Sequence, residues 1–108
     1  MSIREVTDAD FNEAIQAGGE GLTLVDFGAP WCPPCRTLLP ILGELDEELD
    51  GRASILKVNA DDSPATATAY GIMSMPTVIL FKDGQPVEKL VGLRSKEAYL
   101  TLINRYSS

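Results

Sequence analysis

The sequence predicts an α/β fold: a central mixed five-stranded β-sheet flanked by four helices, in the order β-α-β-α-β-α-β-β-α. Three observations predict it. Apolar runs of strand length alternate with segments of helical period along most of the chain. The run "LTLVDFG", Leu22 to Gly28, is almost continuously apolar, as in a strand covered on both faces. Further on, two strand-like runs flank Asp83-Gly84, a two-residue hairpin signal that adds an antiparallel edge. The 108 residues suit one domain, 1–108.

The elements follow in order. "IREV" opens as a short strand. Thr7 or Asp8 can cap a helix in which Phe11, Ala14 and Ile15 recur at helical spacing, and Gly18, Gly19 and Gly21 end it. After Leu22–Gly28 comes a helix with Pro34 in its first turn and a stripe of Leu38, Leu42, Leu45 and Leu49. Pro40 inside it removes one backbone bond and should kink it. "SILKVN", Ser54 to Asn59, is the next strand. Ser63-Pro64 reads as an N-cap followed by proline at the first helical position, with Gly71 as the stop. "TVILFK", Thr77 to Lys82, and "PVEKLVG", Pro86 to Gly92, form the hairpin, with Gln85 spare. Ser95 caps a last helix that turns Ala98, Tyr99, Leu102 and Ile103 to the core. Strand–helix–strand units imply parallel pairing through right-handed crossovers, and helices on both faces of the sheet.

Composition narrows the chemistry. There are 16 acidic and 9 basic residues, a formal charge of −7, and no histidine. This balance argues against nucleic acid and against an anionic membrane surface as partners. The missing histidine excludes Ser-His and Cys-His nucleophilic catalysis and the commonest metal ligand. No apolar run reaches the ~18 residues of a membrane span, and "MSIREVTDAD" lacks the pattern of a secretory signal. The cytoplasm is the expected compartment and a monomer the default state. There a lone cysteine pair points to catalysis or metal binding rather than to a structural bridge.

The two cysteines stand three apart in "GAPWCPPC", behind the only tryptophan. Cys32 ends the loop after a buried strand, and Cys35 lies in the first turn of the next helix. Loops at the C-terminal ends of such strands are where α/β sheets carry their sites. Unpartnered amides at a helix N-terminus favour a thiolate, the nucleophile of disulfide exchange. A pair that opens and closes is therefore the natural reading. Half of a zinc site and two inert buried thiols compete with it, but zinc would need carboxylates or a second subunit to complete its ligands.

These residues carry a family resemblance. "VDFGAPWCPPC", "LKVNAD", "YGIMSMPTVILFKDG" and Val91-Gly92, in that order, resemble the thioredoxin family over nearly the whole chain. The resemblance implies the thioredoxin fold and a protein-disulfide reductase. Cys32 would attack a client disulfide and Cys35 would resolve the mixed disulfide. Asp26 matches the family's buried carboxylate, which moves a proton to or from Cys35, and Lys57 matches its partner. Pro76 matches the family's cis-proline against the disulfide, and Met75 would offer its backbone to an extended substrate. Trp31, Pro33, Pro34 and Gly92 complete the docking surface. No cofactor would be bound. Electrons would come from NADPH through a flavoprotein thioredoxin reductase, and the partners would be that reductase and disulfide-containing client proteins. From the residues alone, the alternative for Asp26 is a satisfied structural carboxylate and for Lys57 a snorkelling surface lysine. "MP" can be an ordinary strand entry, and Gly92 a plain strand-end glycine.

Two positions depart from the family pattern. Gly28 stands where the family commonly carries an aromatic residue, usually tryptophan. Pro33 stands where glycine is typical. Neither Pro33 nor Pro34 has an N–H, so the nearest amide for a Cys32 thiolate is that of Cys35, while Arg36 could add charge nearby. A stiff loop with one fewer donor disfavours the reduced state and makes the couple more strongly reducing. The acidic run Glu44, Asp46, Glu47, Glu48 and Asp50 reads as a solvated helix face. Two other functions stay open: an oxidant or isomerase working outside the cytoplasm, and a binding or assembly module in which the redox pair is incidental.

Overall fold

The computed structural model describes residues 3–17 and 21–107. Its elements are β1 (Ile3–Val6), α1 (Phe11–Gln16), β2 (Leu22–Gly28), α2 (Pro33–Leu49), β3 (Ser54–Asn59), α3 (Pro64–Ala69), β4 (Thr77–Lys82), β5 (Gln85–Val91) and α4 (Lys96–Arg105). The strands form one mixed sheet in the order β1-β3-β2-β4-β5. β1 and β2 both run parallel to β3, which puts the loops after β2 and β3 at the same end of the sheet.

Side-chain alternation along β2 sets up both cores and the site. Leu22 and Leu24 face α2 and α4, joining Leu38, Leu42, Leu45, Leu49 and Tyr99. Val25 and Phe27 face the other layer, where Phe11, Phe27, Tyr70 and Phe81 form an aromatic cluster with ring centroids 5.3–6.3 Å apart. The α2 face of β2 therefore continues from Leu24 to Asp26 and Gly28, directly under the start of α2. On β3 the same face carries Ile55, then Lys57 and Asn59.

Four expectations change. The β3–α3–β4 unit is not a parallel crossover, because β4 pairs antiparallel with β2 as well as with β5. Thr7 and Asp8 do not cap α1. Asp10 holds that position, and its carboxylate accepts from Thr7 N at 2.7 Å and lies 3.2 Å from Arg4 Nη2. Asp8 instead serves the start of α3, accepting from Ala65 N at 3.1 Å, Thr66 N at 2.8 Å and Thr66 Oγ1 at 2.6 Å. Ser63 sits at the α3 N-cap, yet its buried hydroxyl bonds nothing, since Asp8 already takes the free amides. Gln85 is not spare: it pairs with Lys82 across a two-residue turn in which Asp83 and Gly84 both have positive φ, and the extra residue is Val87, bulged between the Phe81–Pro86 and Leu80–Glu88 pairs. The helix stop expected at Gly18 and Gly19 lies outside the described residues.

α2 continues unbroken through Pro40 to Asp50, a left-handed cap with φ 47°. Its acidic face is partly answered by α4: Lys96 pairs with both Glu44 and Glu48. Ser95 caps α4 by accepting from Ala98 N at 3.3 Å, and Tyr99, Leu102 and Ile103 are buried as the spacing required, while Ala98, also expected in the core, is only half-buried at the helix start.

Candidate active site

Cys32 is the N-cap of α2, in extended conformation at φ −97°, ψ 110°. Pro33 enforces this geometry, because a residue before proline is driven out of the helical region. The two prolines then fill the first helical positions, where an N–H would have no helical partner. Cys35 follows on the same turn. The Cα atoms are 5.2 Å apart and the two sulfurs are joined as a disulfide. Both cysteines are buried, with Ala29 and Met75 packed against them.

Two short contacts define the Cys32 sulfur. Cys35 N donates to it at 3.4 Å, the one amide left by the double proline. The Met75 carbonyl oxygen lies 3.6 Å from it on the other side. The Met75–Pro76 bond is cis, and the Gly92 N–H donates to the Pro76 carbonyl at 2.8 Å. Gly92 has φ 92° and a Cβ there would meet nothing within 4 Å, so its left-handed backbone borders open space. Trp31 is 61% exposed beside the pair. Cys32, Trp31, Met75, Pro76 and Gly92 thus share one face, although they come from three loops.

Beneath the pair lies Asp26. It is 2% exposed, and its Oδ1 has no hydrogen-bond partner. It is therefore no satisfied structural carboxylate. Burial pushes its pKa up to about 6, while the positive charge of Lys57 pulls it back down. Lys57 is Asp26's direct neighbour in the β2–β3 register. Among the described residues Lys57 forms no ion pair with Asp26, so it acts on the acid across a gap rather than by contact. A Cβ built on Gly28 would lie 3.1 Å from Cys35 Sγ and 3.7 Å from Asp26 Oδ1. The Cys35 sulfur and the buried acid therefore flank the same small space.

Sequence reasoning missed one partner. The Trp31 indole N–H donates to Asp61 Oδ2 at 2.6 Å. The signal was available in the parallel register, which sets Gly28 opposite Asn59 and so brings the two following loops together. The Asp61 amide is in turn held by Asn59 Oδ1 at 3.0 Å. The Arg36 guanidinium donates to the Pro30 carbonyl at 2.6 Å. Among the described residues no group of three or more His, Cys, Asp or Glu is gathered to hold a metal.

The family model described as Thioredoxin matches residues 2–105. Thioredoxins from Staphylococcus aureus strains Mu50 and MW2 are each 46% identical over 106 residues, covering 98% of this chain and 99% of theirs. Among solved structures, a mutant thioredoxin from Halobacterium salinarum NRC-1 superposes with a TM-score of 0.89 at 34% identity, covering 98% of this chain and 91% of that one.

Proposed function

This chain belongs to the thioredoxin family, and from that premise we propose the course of its reaction and the part each residue takes. It is a thiol–disulfide oxidoreductase, a protein-disulfide reductase working through the Cys32–Cys35 couple, and its substrates are disulfide-containing proteins. The observation that carries the proposed order of attack is the asymmetry of the two sulfurs. Cys32 faces Met75 and the exposed Trp31, whereas Cys35 faces Gly28 and Asp26.

In the reduced protein the Cys32 thiolate attacks one sulfur of the client disulfide. A Cys32–client bond forms, the client disulfide breaks, and the released client thiolate takes a proton. Asp26, ionised above about pH 6, then accepts the Cys35 proton. The Cys35 thiolate attacks Cys32 Sγ, closing the ring and releasing the second client thiolate. Two electrons have passed from the dithiol to the client. Lys57 tempers the acid, keeping its pKa from rising further. Trp31, Pro33, Pro34, Met75, Pro76 and Gly92 form the docking face, where an extended client strand lies beside the Met75–Pro76 segment. We assign regeneration to a flavoprotein thioredoxin reductase drawing on NADPH, with no cofactor on this chain. The cytoplasm is the proposed compartment, and the chain acts as one domain and a monomer. Among the described residues no helix is long and apolar enough to cross a membrane.

Trapping tests the order of attack. Incubated with a disulfide-bonded client, Cys35→Ser should accumulate a stable mixed disulfide through Cys32, and Cys32→Ser should not. Accumulation with Cys32→Ser alone would reverse the two roles. Coupled oxidation of NADPH by the reductase, dependent on this chain and on client, tests the electron source.

A further inference from the structure

Gly28 occupies an ordinary strand position. It pairs with Asn59, its carbonyl accepts from Ala60 N at 2.9 Å, and its φ is not positive. The backbone conformation does not require glycine, although a Cβ here would press on Cys35 at 3.1 Å, and beyond that contact the absence of a larger side chain leaves space. That space is a cavity of about 160 Å³ between the α2 face of the sheet and the first turns of α2. Ala29, Pro30 and Leu39 supply apolar walls, with Cys35 and Asp26 at the floor. The exposed Arg36 and Leu39 mark its open side.

Three features select a ligand. The volume is that of a cavity able to hold one benzene-sized ring, about 150 Å³ in a well-studied case. The charged groups around it balance, Glu5 and Asp26 against Arg36 and Lys57, which disfavours both a net anion and a net cation. The Asp26 Oδ1 is buried and has no donor. A donor is what this acceptor lacks, and the two cations favour a π face over a saturated ring. We propose that the cavity under Gly28 is a binding site for a neutral small aromatic molecule bearing one N–H or O–H donor, seated over Cys35 and hydrogen-bonded to Asp26. Bound there, the molecule would cover the resolving sulfur and hold the acid in its ionised form. The site stands on the cavity and the orphan acceptor, and its test does not depend on reductase activity.

The test is a titration of the intact disulfide-form protein with indole, followed by amide NMR shifts. Saturable shifts centred on Gly28, Cys35 and Lys57 are expected, with a dissociation constant below about 1 mM. Phenol should behave like indole, and benzene, which has no donor, should bind at least about five-fold more weakly. Filling the cavity by Gly28→Trp should weaken indole at least about ten-fold. Because a Cβ at position 28 crowds Cys35, Leu39→Trp fills it independently from the α2 wall, and each variant's amide spectrum reports its fold. Absence of saturation, shifts centred elsewhere, benzene binding as tightly as indole, or unchanged binding in a folded filled variant would overturn the proposal.

Discussion

Asp26→Asn probes the buried acid beneath the disulfide. In the folded protein burial pushes the carboxyl up to about 6, against the pull of Lys57. In the unfolded chain it titrates near ~3.9. The folded state therefore holds the proton more tightly than the unfolded state across this interval. Below about pH 3 both states are protonated and the group costs nothing. As pH rises from about 4 to 6 the unfolded state ionises first, and folding stability falls. Above about pH 7 the loss is complete and constant. About two pKa units at ~1.4 kcal/mol each give about 3 kcal/mol. Asparagine keeps the shape and cannot ionise. Urea unfolding of both disulfide forms, from pH 4 to pH 8, measures the effect, and subtraction cancels every other titrating group. The stability of the variant minus that of the parent should rise by roughly 2.5 kcal/mol between pH 4 and pH 7.5, the rest of the effect lying below pH 4. A difference flat to within about 0.5 kcal/mol would mean that Asp26 is solvated or paired, and would refute the reasoning.

Other perturbations have equally definite outcomes. Pro33→Gly restores one amide and one flexible residue beside Cys32, so its couple should be less reducing by on the order of 10–20 mV, read by equilibration with a glutathione buffer; an unchanged or more reducing couple contradicts the role given to Pro33. Trp31→Phe removes the bond to Asp61 but little buried surface. It should lower kcat/KM for protein disulfides several-fold while urea stability moves by less than about 1 kcal/mol. Asp8→Ala removes three bonds from the start of α3 and should lower the thermal midpoint without changing reductase activity. The Asp8 carboxyl is held below its ordinary range first by the Thr66 hydroxyl, so its contribution is present above about pH 4 and lost as pH falls through the folded pKa; thermal scans should show the variant and parent converging in acid.

What the sequence disclosed, and what it withheld, follows from where each signal resides. β2 was legible because burial on both faces demands a continuous apolar run, and α2 because leucines at 38, 42, 45 and 49 can share a face only in a helix. The cysteine spacing and the strand before it placed the disulfide at a helix start. Strand direction was not legible at β4, since Thr77–Lys82 is buried along nearly its whole length and would read the same parallel or antiparallel. Asp8 looked like a local cap because nothing in a linear reading says that its amide donors stand at Ala65 and Thr66. The Val87 region hid its bulge for a similar reason: an extra residue in an exposed edge strand disturbs no buried pattern. At the site, Asp26 was visible as an acid in an apolar strand, but its lack of a hydrogen-bond donor and the cavity under Gly28 are properties of packed atoms.

A protein-disulfide reductase stands or falls on the reducing power of its one couple. Trp31 adjoins the disulfide and is the only tryptophan, so its fluorescence should follow ring opening during equilibration with defined dithiol and glutathione buffers. The expected result is a single two-electron transition with a midpoint below about −260 mV, more reducing than the extracted cytosolic glutathione pool. A midpoint above that value would make the protein an oxidant or isomerase, and no transition at all would leave Cys32 and Cys35 without a redox role.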